Sequence, residues 1–322
     1  MIVAVTGAAG FIGSHLVDRY LREGHGVIGL DDLSTGVLEN LASASSNSRF
    51  RFVETDVAMS PNAVSEALEG TLERPALILH LASPASPVDY AERPLETMAA
   101  NSTGTQSCLL AAERFEARLL FASTSESYGD PLQHPQSETY WGNVNPIGPR
   151  SCYDESKRFG EALVMSWVRA RGADARIIRI FNTYGPRMRL DDGRVVPNFI
   201  SQAISGRPLT IYGDGSQTRS FCYVDDLVDG IVRAAASERT RGEVVNIGYP
   251  REHTMLEFAR LVAAAVGVEI VVEGLPLPTD DPVRRRPDIS RARDWLGWEP
   301  LVDLETGLQR TVQAFKQMTG AR

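Results

Sequence analysis

The first thirteen residues restrict the fold of this chain more than any later stretch. Ile2-Val3-Ala4-Val5 is an apolar run with strand character, Thr6-Gly7-Ala8-Ala9-Gly10-Phe11-Ile12-Gly13 follows it, and a helical pattern then sets Leu16, Val17, Tyr20 and Leu21 on one face. Strand, glycine turn and helix in that order open a βαβ unit. Glycine suits the turn because the backbone bends sharply there and must come close to a ligand, while the helix N-terminus offers free N–H groups and a positive dipole end to an anion. A purely structural turn is the competing explanation; the position between strand and helix favours a dinucleotide. Gly7, Gly10, Phe11, Ile12 and Gly13 are therefore candidates for holding a pyrophosphate.

Further strands follow at the spacing of a parallel sheet. Residues 26–30, 51–54, 76–82, 119–122 and 176–181 are short apolar runs, and 244–248 reads as a late strand returning to the same sheet. The pattern predicts an α/β fold: a doubly wound Rossmann-type parallel sheet with a smaller, discontinuous substrate-binding domain. Residues 1–182 with about 220–248 form the dinucleotide-binding part, and about 183–219 with 249–322 the other. Asp31 closes the second run, where a carboxylate accepts hydrogen bonds from ribose hydroxyls and repels a 2′-phosphate, so NAD is favoured over NADP. Asp32 shares that role or is merely solvated. Leu81 and Ala82, at the end of the fourth run, should lie against the cofactor. Helical patterns begin near Asn101 and near Tyr153, and 43–48 reads as a surface loop.

Two polar clusters stand out between residues 121 and 157. Ser123-Thr124-Ser125-Glu126 leaves the run 119–122 at the end where open α/β sheets bind ligands. Tyr153 and Lys157 are four apart, and on a helix that spacing puts both on one face. Ionising a phenol at neutral pH requires about 4 kcal/mol of differential stabilisation, part of which a nearby ammonium supplies. A Tyr, a Lys and a Ser or Thr hydroxyl suit removal of a proton from an alcohol as its hydride leaves for NAD+. The bland alternative is a chance pair on a solvated helix, but Lys157 and Lys316 are the only lysines of the chain. Later arginines, namely Arg187, Arg189, Arg194, Arg219 and the run Arg284-Arg285-Arg286, are candidates for phosphate and carboxylate recognition. Those near Gly213-Asp214-Gly215 and in a Pro-bounded loop near Asp280 are the better ones.

Bulk properties exclude several classes. A formal net charge of −8 over 322 residues leaves no basic footprint for nucleic acid or an anionic membrane. Cys108, Cys152 and Cys222 lack metal-ligand spacing and suggest no disulfide framework, so no metal is expected. Met1 leads directly into the first strand without a charged n-region, and no apolar run reaches membrane-spanning length. The expectation is a cytoplasmic protein with reduced thiols.

The Tyr153/Lys157 pair with its upstream hydroxyl cluster resembles the signature of the short-chain dehydrogenase/reductases. Nearly the whole chain is similar to their extended, nucleotide-sugar branch, and within it to the UDP-glucuronate decarboxylases. The matching runs are 80–87, 140–150, 191–196, 285–289 and 296–300. Related 4,6-dehydratases carry an acid where this chain has Ser125, and a serine is a poor proton donor to a departing hydroxide. The resemblance implies NAD as cofactor and UDP-glucuronate as small-molecule substrate, with Thr124, Ser125, Glu126, Tyr153, Lys157 and Arg285 in the chemistry. It implies cofactor contacts from Ser34, Thr35, Gly36, Asp56, Val57 and Ser83, and substrate contacts from Asn182, Arg187, Arg194, Arg219 and Arg285, the last at the sugar's carboxylate. His80 holds a packing position in that family, and relatives dimerise through a bundle built from the two long helices, which implies a homodimer here. Ser127 and Ser156 depart from the Val and Gly common in relatives, which touches positioning and leaves the reaction class intact.

The reaction so implied is oxidation at C4, loss of carbon dioxide and return of the hydride to give UDP-xylose. A 4,6-dehydratase such as one acting on dTDP-glucose, or a 4-epimerase, is the enzymatic alternative. A nucleotide-binding protein that lost its chemistry is the other, opposed by the intact Thr124, Glu126, Tyr153 and Lys157.

Overall fold

A computed structural model describes residues 1–71, 73–276 and 284–320. Six strands, β1 (Ile2–Thr6), β2 (Gly26–Asp31), β3 (Phe50–Glu54), β4 (Leu77–His80), β5 (Arg118–Thr124) and β6 (Ala175–Ile180), join the strand Val244–Ile247 in one sheet. Its order is Val244–Ile247, β6, β5, β4, β1, β2, β3, and every pairing is parallel. The order reverses between β1 and β4. In an open α/β sheet that switch point opens a crevice at the carboxyl ends of the strands.

A parallel sheet is covered on both faces, so its central strands are largely apolar and divide their side chains by the two-residue period. β1 sends Val3 and Val5 to one face and Ala4 to the other; β4 sends Leu77 and Leu79 to the first and Ile78 to the second. Helix α1 (Phe11–Arg22) covers the first face with the Leu16, Val17, Tyr20 and Leu21 stripe anticipated from sequence. Leu109 of the helix Thr103–Phe115 and Val164 of the helix Ser151–Arg171 join the core on the second face. Each fully buried aliphatic side chain of this kind contributes about 1.5–3 kcal/mol.

Two expectations change in detail. The helical pattern placed near Asn101 begins a whole helix earlier, at Pro94–Asn101, because Pro94 occupies the first turn, where its missing N–H is harmless. That helix breaks at Ser102 before Thr103–Phe115 resumes. The polar stretch 43–48 is partly the short helix Ala42–Ser45, anchored by buried Leu41 and Ala44. The Pro-bounded loop near Asp280 lies outside the described residues.

Beyond β6 the chain builds small sheets over the crevice. Thr218–Ser220 pairs with Glu252–Thr254 on one side and with Arg284–Arg285 on the other. Leu209–Tyr212 pairs with Val272–Leu275. Val244–Ile247 then rejoins the main sheet beside β6. No helix among the described residues is long and apolar enough to cross a membrane.

Candidate active site

The glycine turn is built by backbone constraints that a side chain would violate. Gly7 has φ +70°, and a Cβ there would meet the Ala82 nitrogen at 2.9 Å. A Cβ on Gly13 would lie 1.9 Å from the Gly7 carbonyl oxygen. Gly10 caps α1 without any side-chain bond, leaving the helix N-terminus to the crevice. Asp31 is buried; its Oδ2 accepts from Ala9 N–H at 2.8 Å and its Oδ1 from Leu33 N–H at 2.9 Å. The Asp32 N–H is a third backbone donor to this carboxylate, which keeps acceptor capacity for one more. Asp32 instead accepts from Ser34 N–H and Oγ–H in a local turn. These residues, with Thr35, Gly36, Asp56, Val57, Leu81, Ala82 and Ser83, line one cleft of about 650 Å³. An uncapped helix N-terminus beside glycines that tolerate no Cβ, with a buried carboxylate at the end of β2, fits NAD.

Across the switch point, β5 delivers Thr124, whose Oγ1 accepts from Glu126 N–H and starts a 3-10 turn, Ser125–Tyr128. Opposite lies the helix Ser151–Arg171. Gly160 lets it press on β5, since a Cβ there would stand 2.5 Å from the Phe121 ring. Lys157 is thereby buried with Nζ donating to the Ala122 carbonyl at 2.9 Å, 6.0 Å from the centre of the Tyr153 ring. Thr124 hydrogen-bonds Tyr153. The same cleft is lined by Thr124, Ser125, Glu126, Tyr153 and Lys157, and by Asn182, Arg187, Arg194, Arg219 and Arg285.

Burial dominates the electrostatics of the Tyr153/Lys157 pair. Burial pushes the Tyr153 phenol up to about 12, with the Thr124 hydrogen bond pulling it back, and burial pulls the Lys157 ammonium down to about 7 against the charge of Glu161. A Tyr and Lys at helical spacing suggest mutual stabilisation of charge, but desolvation penalises both charges when both are buried. The chain alone does not ionise this phenol. Glu126 behaves oppositely. Burial disfavours its charge, yet Arg285 and Arg150 outweigh that and hold its carboxyl well below the usual range.

Arg285 grips Glu126 with both terminal nitrogens, Nη1 to Oε1 and Nη2 to Oε2 at 2.7 Å each, and Nη1 lies 3.4 Å from Asn182 Oδ1. Strand register sets Arg285 directly opposite Arg219, concentrating positive charge where a polyanion would bind. Arg194 pairs with Asp192 through two bonds, and Arg187 pairs with Asp18 at 2.5 Å. His80, buried outside the cleft lining, joins Thr6 Oγ1 at 2.9 Å and Thr105 Oγ1 at 3.2 Å, and burial pulls its pKa down to about 3. It packs as a neutral ring.

Sequence reasoning passed over several residues that shape this site. Tyr90 stacks on Tyr153 with ring centres 5.1 Å apart and planes 11° apart. Arg150 binds Glu126 at 2.9 Å. Glu161, one turn after Lys157, is buried and accepts from Ser123, Ser127 and Arg179. Glu161 carried a readable signal, an acid four residues beyond the lysine; Tyr90 carried none. The two departures from the family pattern also find partners, Ser127 on Glu161 and Ser156 on Asn101.

This fold and cleft define a dinucleotide-dependent enzyme of the short-chain dehydrogenase/reductase kind. The family model for the NAD dependent epimerase/dehydratase family matches residues 3–248, and the chain belongs to that family. The chain is 51% identical over 314 residues to UDP-glucuronic acid decarboxylase 1 of Arabidopsis thaliana, covering 98% of this chain and 69% of that protein. It is 48% identical over 315 residues to UDP-glucuronic acid decarboxylase 1 of Danio rerio, covering 98% and 72%. Among solved structures, the UDP-glucuronic acid 4-epimerase of Bacillus cereus, in complex with UDP-glucuronic acid and NAD, superimposes with a TM-score of 0.88 at 30% identity over 99% of this chain and 100% of that one. A dTDP-glucose 4,6-dehydratase of Streptomyces venezuelae gives 0.89 at 29%, covering 99% and 98%.

Proposed function

We propose that this chain is an NAD-dependent UDP-glucuronate decarboxylase that forms UDP-xylose through a 4-keto sugar. The observation that carries the reading is the gathering of Thr124, Tyr153, Glu126 and Arg285 at one end of a cleft in which Ser125 stands where a dehydratase needs an acid. Decarboxylases at about half identity over nearly the full chain support it. The epimerase and dehydratase structures share the scaffold at lower identity.

Gly7, Gly10, Phe11, Ile12, Gly13 and Asp31 would hold NAD, with Asp32, Ser34, Thr35, Gly36, Asp56, Val57, Leu81, Ala82 and Ser83 along it. When bound, NAD+ supplies a hydride acceptor, a positive charge and later the same hydride. Residues 1–182 with about 220–248 serve that cofactor; 183–219 with 249–322 serve the nucleotide sugar. Asn182, Arg187, Arg194 and Arg219 hold the sugar and diphosphate, and Arg285 takes the sugar's C6 carboxylate.

Tyr153, steadied by Lys157, takes the C4 hydroxyl proton as the C4–H hydride departs. The new C4 ketone is β to the carboxylate, so the C5–C6 bond breaks with its electron pair flowing into the C4 oxygen as an enolate. Tyr153 and Thr124 donate hydrogen bonds to that oxyanion and thereby lower the barrier. Glu126 positions the ring or the water that protonates C5. Return of the hydride to C4 and of the Tyr153 proton to its oxygen restores the alcohol.

The homodimer and cytoplasmic location belong to the same proposal. Leu95 and Met98 of the helix Pro94–Asn101 and Phe159 of the helix Ser151–Arg171 are exposed apolar side chains on neighbouring helices, which supports pairing with a second copy. Cys108, Cys152 and Cys222 are unpaired, which supports a reducing compartment. Incubation with UDP-glucuronate and mass analysis tests the activity: UDP-xylose and carbon dioxide without net NADH are expected. Water loss from dTDP-glucose with no turnover of UDP-glucuronate would replace the reading with a dehydratase.

A further inference from the structure

We propose that Arg150 is a positioning residue that keeps Glu126 ionised and in place while Arg285 turns to the sugar's carboxylate. The inference rests on the reading above, in which Arg285 takes that carboxylate. One buried and two largely buried groups form the cluster: side-chain exposure is 8% for Arg285, 12% for Glu126 and 16% for Arg150. Arg285 spends both terminal nitrogens on Glu126 and keeps a buried Nε–H with no partner, so it has recognition capacity beyond this carboxylate. Two guanidinium groups face one carboxylate, and the surplus positive charge suits a second anion.

The two arginines arrive by different routes. Arg285 lies on the short strand Arg284–Arg285 beside Thr218–Ser220, among the small sheets over the crevice. Arg150 immediately precedes the helix Ser151–Arg171 that carries Tyr153 and Lys157. Its guanidinium carbon lies 5.9 Å from the centre of the Tyr90 ring, and Tyr90 stacks on Tyr153. Arg150 is thus tied to the base, whereas Arg285 is tied to the region assigned to the sugar. When Arg285 engages a second carboxylate, Glu126 loses part of its countercharge, and a buried carboxylate without a cation is strongly disfavoured. Arg150, with Nη2 2.9 Å from Oε2, the oxygen that Arg285 Nη2 also reaches, prevents that.

The other charged or titratable groups around this cluster are Asp154, whose carboxyl burial and Glu126 push well above its ordinary range, the phenols of Tyr90 and Tyr153, and the guanidinium groups of Arg219, opposite Arg285 in the strand register, and Arg194, which acts on Tyr153. With Arg150 and Arg285 both beside it, the Glu126 carboxyl stays ionised well below the usual carboxylate range, although burial opposes its charge. The test compares Arg150→Gln, which removes the charge, with Arg150→Lys, which keeps it, measuring kcat and KM for carbon dioxide release from UDP-glucuronate across pH, together with NAD+ binding. For Arg150→Gln a fall in kcat of about 100-fold with little change in KM is expected, as for a misplaced catalytic group. Its acid limb moves up by about one pH unit, since Glu126 then protonates more readily. Arg150→Lys is expected to stay within about tenfold of wild-type kcat with the limb unmoved, because its charge remains. NAD+ binding is unchanged in both.

An Arg150→Gln profile coincident with wild type, or an Arg150→Lys enzyme as impaired as Arg150→Gln, overturns the inference alone. If Arg150→Gln does not fold, Arg150→Lys decides: a loss of about 100-fold overturns it, and near-wild-type kcat with an unmoved limb upholds it. Wild-type protein that releases no carbon dioxide from UDP-glucuronate overturns the underlying reading as well.

Discussion

The two ends of the cleft are made in different ways. At the dinucleotide end the surface is mostly backbone, shaped by glycines that cannot accept a Cβ and by a helix N-terminus left uncapped. At the end proposed for the sugar the surface is side chains from distant segments, and its arginines Arg285 and Arg194 are neutralised by Glu126 and Asp192. A backbone site is rigid before any ligand arrives. A site made of internally paired charges must exchange partners to bind, which lets recognition of an acidic sugar be coupled to the chemistry.

Four substitutions would break or sharpen this contrast, taken from the largest expected effect down. Tyr153→Phe removes the proton acceptor and should lower carbon dioxide release by about 10³-fold or more while sparing NAD+ binding by calorimetry; unchanged turnover would dismiss Tyr153 as the base. Arg285→Gln should lower kcat/KM for UDP-glucuronate by about 100-fold. A variant with wild-type kcat/KM would separate Arg285 from the carboxylate. Gly13→Ala acts at the other end, where a Cβ 1.9 Å from the Gly7 oxygen forces the turn apart. It should cost about 1–3 kcal/mol of stability in denaturant titration and weaken NAD+ binding. A neutral result there would mean that the turn is plastic.

The smallest effect concerns pH. Lys157 titrates at about 7 in the folded chain against 10.5 for an ordinary lysine, so between those values the unfolded state holds more protons. Stability should therefore rise with pH across that window and be lost as pH falls through 7, with a slope of at most about 1.4 kcal/mol per pH unit from this group. Lys157→Met should flatten the slope measured between pH 7 and 10. An identical slope in the variant would mean that Lys157 is not desolvated.

The same contrast explains what could be read in advance. All seven strands of the main sheet were legible, because a parallel sheet writes itself as short apolar runs, and Gly7, Gly13 and Asp31 occupy positions that few other residues tolerate. Tyr153 and Lys157 were legible as a pair, since helical spacing is local. Their protonation was not: the cost of burying both charges depends on Phe121, Tyr90 and the close approach that Gly160 permits, none of which spacing reveals. The partnership of Glu126 with Arg285 spans 159 positions, and that of Arg187 with Asp18 spans 169. Such pairings exist only once the small sheets close over the crevice.

Asn246, buried on the returning strand Val244–Ile247, accepts from the Tyr128 hydroxyl at 2.8 Å and donates to the carbonyls of Gln136 at 3.0 Å and Asp288 at 3.1 Å. Gln136 in turn grips Arg286 through both its backbone N–H and its side-chain oxygen. One amide therefore works as a rivet between the last sheet strand and the segment next to Arg285. The whereabouts of Arg285 are thus set from the main sheet, and a lesion at Asn246, which is not among the residues lining the cleft, would be felt first as a loss of aim.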